Sequence, residues 1–127
     1  MFNLAKYQEI KKIIKKHGKK TEIIAISKNQ NLNQIEDAIS NNLTIFGENR
    51  VQEAVSKFSE ILKKNNTIKL HLTGPLQTNK TKVAIDVFDT FHTLDREKLL
   101  REFSKYSEKL KNKKFFIQVN TGREINK

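Results

Sequence analysis

The chain has 127 residues, one domain's worth with room for a core, and is 36% hydrophobic and 31% charged. It has no cysteine, which excludes disulfides and thiolate metal sites, and His17, His71 and His92 lack metal-ligand spacing. The formal charge of +11 rests on 21 lysines and only 4 arginines, which reads as solvated helix faces, since phosphate and base readers lean on the guanidinium. No apolar run reaches the length of a membrane span and the N-terminus has no uninterrupted apolar stretch of the secretory kind, so the expected compartment is the cytoplasm.

Leu4, Tyr7, Ile10, Ile13 and Ile14 recur at helical spacing opposite a lysine face, and Gly18 stops them. An amphipathic opening helix with a core-facing stripe is expected. The β-branched run at 23–26 is a first strand, ending abruptly in Ser27-Lys28. Ile35, Ala38 and Ile39 mark a helix opened by Asn33, with Glu36 three residues on as in a capping box. A second strand is expected at 43–46, then a helix carrying Val51, Ala54, Val55, Phe58, Ile61 and Leu62. A third strand at 68–72 precedes a short helix through Val83 and Ala84. A fourth strand at 87–91 precedes a helix through Leu99, Leu100, Phe103, Tyr106 and Leu110 capped by Asp95, and 115–119 is a fifth strand. Regular alternation means an α/β fold with a parallel sheet and right-handed crossovers. A doubly wound sheet would want one more helix and an eight-stranded barrel three more units, so 1–127 is expected to be a single incomplete domain.

In such a sheet all C-terminal strand ends lie on one side, where chemistry sits. Lys28 is at the first of them. Most lysines after a strand are solvated loop residues, but an amine desolvated in such a place has a lowered pKa and is suited to a Schiff base with an aldehyde, which points to pyridoxal phosphate. The second end is Gly47-Glu48-Asn49-Arg50, where Gly47 permits a tight turn and Glu48 and Asn49 can each cap the next helix or face the mouth. The third, at 71–80, holds Thr73 and Gly74 before a proline turn, without the glycine-rich pattern of a P-loop. The fifth ends in Gln118, Asn120, Thr121 and Gly122.

The segments AISK at 25–28, FGENRVQEA at 46–54, HLTGPLQTNK at 71–80, FHTLDREKL at 91–99 and FIQVNTGRE at 116–124 together resemble the pyridoxal phosphate homeostasis proteins, in order over 22–127. The resemblance implies a partial (β/α)8 TIM-type barrel, strands one to five of eight behind an N-terminal helix, similar to the N-terminal domain of alanine racemase. It implies that Lys28 holds pyridoxal 5'-phosphate as an aldimine and that Asn49, in the family's GEN motif, lies near the cofactor. Thr73 and Gly74 are further candidate cofactor contacts. The implied role is intracellular homeostasis of the cofactor, bearing on vitamin B6 pools and amino-acid metabolism without established turnover. The alternative is a racemase-type enzyme in which Lys28 also moves a proton, although no second base is evident. A nucleic-acid module would rest on charge alone.

Two departures qualify the resemblance. Asn29, Gln30 and Asn31 stand where the family has a second basic residue and a proline two and three places after its lysine, which should alter the first loop but keep the lysine. The family's phosphate-gripping residues belong to later strands. No membrane, specific nucleic acid or obligate protein partner is expected, whereas the open edges of a five-strand sheet favour self-association and weak cofactor retention by this chain alone.

Overall fold

The computed structural model describes residues 2–18, 20–122 and 125. Five parallel strands, β1 (Ala25–Ile26), β2 (Ile45–Glu48), β3 (Lys69–Leu72), β4 (Thr90–Leu94) and β5 (Lys114–Ile117), lie side by side in chain order. They alternate with α2 (Leu32–Ser40), α3 (Val51–Lys64), α4 (Thr81–Val87) and α5 (Glu97–Ser104), behind an opening helix α1 (Leu4–Lys16). Because each strand pairs only with its sequence neighbours, right-handed crossovers put all four connecting helices on one side. A doubly wound sheet would reverse its strand order, so the arrangement is that of a (β/α) barrel wall.

Strand alternation divides the sheet's two faces. Phe46, Leu70, Leu72 and Phe91 point to the helices, where they meet Ile35, Ala38, Ala54, Phe58, Ala84, Ile85, Leu99 and Phe103 in one buried core. Phe91 is its aromatic centre, edge-on to Phe103 at 4.9 Å and stacked on Phe115 at 5.2 Å. The other face carries Ile24, Ile26, Gly47, His71, Thr73, His92 and Phe116, and among the described residues no helix covers it. Ile26 is 47% exposed there and Phe116 53%.

Several expected boundaries move, each for a local reason. Helix α2 starts at Asn31, not Asn33: the Asn31 side chain accepts from Gln34 N–H at 3.0 Å, and Gln34 Oε1 accepts from Asn31 N–H at 3.1 Å. Both Asn31/Gln34 and Asn33/Glu36 fit a capping-box spacing, and the extended backbone at Asn31 selects the earlier. Asn31→Ala is therefore expected to cost about 1 kcal/mol in urea unfolding, and Asn33→Ala less than about 0.5 kcal/mol. Helix α4, entered through a 3₁₀ turn at Thr78–Lys80, runs to Val87 and pushes β4 three residues later than expected. It buries Thr81, Ala84 and Ile85 and leaves Val83 46% exposed.

Asp95 does not cap α5 but pairs with Arg96 at 2.7 Å. In α1 no residue is fully buried: Tyr7 and Ile14 are half-buried, whereas Leu4, Ile10 and Ile13 are exposed. The expected core-facing stripe is thus only partly covered. Arg123 and Glu124 of the fifth motif lie outside the described residues.

Candidate functional site

Strand register places the candidate residues. Ile26, Gly47, His71 and Thr90 are Cα partners across β1 to β4, and Glu48, Leu72, Phe91 and Phe115 form the next row across β2 to β5. One step further toward the C-terminal ends come Asn49, Thr73, His92 and Phe116, on the face without helices, with Lys28 at the same step beyond β1 but in the turn that follows that strand. Side-chain contacts agree with it. Thr73 Oγ1 donates to Asn49 Oδ1 at 2.8 Å, and the His92 ring lies 4.9 Å from Phe116.

Gly74 falls outside this row. It is buried, its carbonyl accepts from Thr93 Oγ1 at 2.8 Å, and a Cβ on it would overlap the Asn49 carbonyl oxygen and stand 2.8 Å from Asn49 Cα. Its part is to let the β3 end press against the β2 end and so hold Asn49 in place. Thr93 reaches it from a bulge in β4, where Phe91 pairs with Phe115 but Leu94 with Ile117. Gly47 is bare for a similar reason: a Cβ there would meet Ile26 Cδ1 at 2.7 Å and Ile24 Cγ2 at 3.1 Å.

Neither Glu48 nor Asn49 caps α3, whose start has no side-chain cap. Asn49 is held by Thr73, and Glu48 turns to the helix side, fully buried, where its Oε1 accepts from Ser27 Oγ at 2.7 Å. Lys57 on α3 donates to Ser27 O at 2.8 Å, to Glu48 Oε1 at 3.1 Å and to Glu53 Oε1 at 2.6 Å. Glu53 Oε1 also accepts from Asn29 N–H at 2.8 Å. Burial works against the Lys57 ammonium, yet hydrogen bonds to Glu53 and Glu48 outweigh it and hold the group above the ordinary lysine range. The hydrogen bond from Lys57, then that from Asn29, holds Glu53 below the ordinary carboxylate range.

Lys28 itself is exposed, in a turn closed by Gln30 N–H on Ser27 O at 3.0 Å, with Asn29 in the left-handed region at φ 60°. The desolvation expected at a strand tip is absent: β1 pairs over only two residues and leaves the turn open to water. As donors the row offers an amine, an amide and a hydroxyl, flanked by Ile26, His92 and Phe116. That set suits an aldehyde on an aromatic ring. Beside it, a cavity of about 620 Å³ between the β2 and β3 ends is lined by Asn49, Arg50, Gln77, Lys80 and Arg96 among others.

Sequence reading treated the histidines as scattered, but His71 Nδ1 and His92 Nε2 are 3.0 Å apart. Their parity on adjacent parallel strands was the available signal. Burial, and then the nearby His92, pushes the His71 pKa down, and burial lowers that of His92. With native pKa values below the unfolded 6.5, the unfolded chain binds more protons, so the stability this pair contributes is present above pH 6.5 and lost as pH falls through the native values. Urea midpoints should fall on acidification through that window, and less steeply in His71→Asn; an unchanged slope would remove the pair as the cause.

No family model matches the chain. The pyridoxal phosphate homeostasis protein of Buchnera aphidicola subsp. Schizaphis graminum is 41% identical over 127 aligned residues, covering 94% of this chain and 54% of that protein. The Escherichia coli protein of that description is 33% identical, covering 83% of this chain and 46% of its own length. The chain spans about half the length of the curated relatives it matches, in their N-terminal part. Among solved structures, PipY of Synechococcus elongatus with PLP bound superposes with a TM-score of 0.75 at 30% identity, over 90% of this chain and 55% of that one. An unknown protein from Bifidobacterium adolescentis, at TM-score 0.81 and 23% identity, shares the fold.

Proposed function

The chain is homologous to the N-terminal part of the pyridoxal phosphate homeostasis proteins, and on that premise we propose that it binds pyridoxal 5'-phosphate at Lys28 and serves intracellular homeostasis of that cofactor, in the cytoplasm. The five strands are read as the first five of an eight-stranded barrel. The observation that supports the site is the bond between Asn49 and Thr73 at the C-terminal ends of β2 and β3, with Lys28 in the turn two residues beyond the end of β1. When bound, the cofactor supplies an aldehyde that condenses with an amine, with loss of water. Lys28 provides the amine, Asn49 and Thr73 the polar contacts, and Gly74 the close packing that fixes Asn49.

The role is read as non-catalytic. A racemase would need a second base beside Lys28, and His71 and His92, which lie on the same face, are engaged with each other. Amino acids incubated with the cofactor-loaded protein should keep their chirality.

Borohydride reduction in the presence of pyridoxal phosphate, followed by peptide mapping, tests the site. The pyridoxyl group is expected on Lys28 above all other lysines and lost from that peptide in Lys28→Ala. A label concentrated on another lysine, with Lys28 unmodified, would overturn the assignment.

A further inference from the structure

Lys28 is bracketed by two residues that α3 holds from outside the open face. Ser27, before it, gives its carbonyl to Lys57 Nζ and its hydroxyl to Glu48. Asn29, after it, gives its N–H to Glu53, which Lys57 also grips. Both tethers converge on one ammonium, which is 13% exposed and lies on the helix side of the sheet, where it has no line to a ligand on the opposite face. Three of these four contacts involve an ionised partner on each side or a charge on a backbone group, the stronger class of hydrogen bond. A turn exposed to water, on a strand paired over two residues, has little else to fix it.

We propose that Lys57 is a positioning residue for Lys28: through Ser27 on one side and Glu53–Asn29 on the other, it fixes the turn that presents the Lys28 amine at the end of the Asn49–Thr73 row. The proposal rests on the reading of Lys28 as the cofactor amine and deepens it. Lys57 forms no bond to the ligand. It sets how often the amine is in a reactive position, which governs the rate of condensation with a bound aldehyde.

The test measures, on the 127-residue chain, borohydride-trapped pyridoxyl at Lys28 relative to that on the exposed lysines of α1. In Lys57→Met that selectivity is expected to fall about tenfold, and Lys57→Arg, which can still reach a carbonyl and two carboxylates, should restore most of it. Because Lys57→Met also strands the buried Glu48, two variants separate positioning from folding. Glu53→Ala frees Asn29 while leaving the Glu48–Lys57 pair in place, and selectivity should fall about threefold. Lys113→Met removes another half-buried lysine tether, to Phe88 O at 2.8 Å beside the N-terminal end of β5, and should leave selectivity unchanged. Wild-type selectivity retained in both Lys57→Met and Glu53→Ala would overturn the positioning role while the Lys28 reading stands. No preference for Lys28 in the wild type would overturn both.

Discussion

Gly74→Ala is expected to destabilise the chain by about 3 kcal/mol or more, a large part of the 5–15 kcal/mol typical of a domain. The added Cβ would overlap the Asn49 carbonyl oxygen and stand 2.8 and 2.9 Å from its Cα and carbonyl carbon. Those are backbone atoms at the end of β2, held by Thr73 N–H on Glu48 O at 2.9 Å, so no rotamer change relieves the overlap. Relief requires β3 to move away from β2, which also strains Thr73–Asn49 and Thr93–Gly74. Urea midpoints measure it. Gly18→Ala is the comparison: its φ of 61° carries left-handed strain, but nothing lies within 4 Å, so the cost there is about 1 kcal/mol. A Gly74→Ala chain no less stable than Gly18→Ala would show that the two strand ends are not pressed together.

Phe91→Ala is expected to cost about 3–5 kcal/mol, because the ring is buried and the cavity left behind is bounded by other rings that collapse poorly. Phe103 and Phe115 contact it at 4.9 and 5.2 Å and Phe88 at 6.1 Å, and they also contact one another, Phe103 edge-on to Phe115 at 4.9 Å. Phe116→Ala, one residue along β5 but on the open face, should cost less than about 1 kcal/mol. The contrast is a test of which face carries the core. Thermal unfolding that ranks the two the other way round would reverse the assignment of sheet faces.

Strand and helix existence was legible because apolar periodicity reports burial, and burial here follows the alternation of one covered and one uncovered sheet face. The expectation of a barrel wall came from the same periodicity together with the family motifs, and the chain-order sheet agrees with it. Boundaries were less legible where an apolar residue serves an end and not an interior. Val87 and Phe88 read as strand, yet one closes α4 and the other is a buried residue of the turn before β4. Capping was misread at Asp95 and left open at Glu48 and Asn49, because their partners lie across the sheet or beside them, not along the following helix. Lys28, Asn49 and Thr73 were named from their places at strand ends and from the family motifs, and the structure brings Asn49 and Thr73 into contact. The tether through Lys57 was not, since it joins residues from β1, β2 and α3 whose proximity depends on how the helix packs.

The chain-order sheet has a kinetic consequence. Among the described residues strand starts fall at 25, 45, 69, 90 and 114, so each of these strands finds its sequence neighbour 20 to 24 residues away. Loop-closure entropy grows only logarithmically with length, so the four closures carry nearly equal entropic costs. The sheet can therefore grow one strand at a time along the chain, each new strand templated by the one before it, in step with emergence from a ribosome.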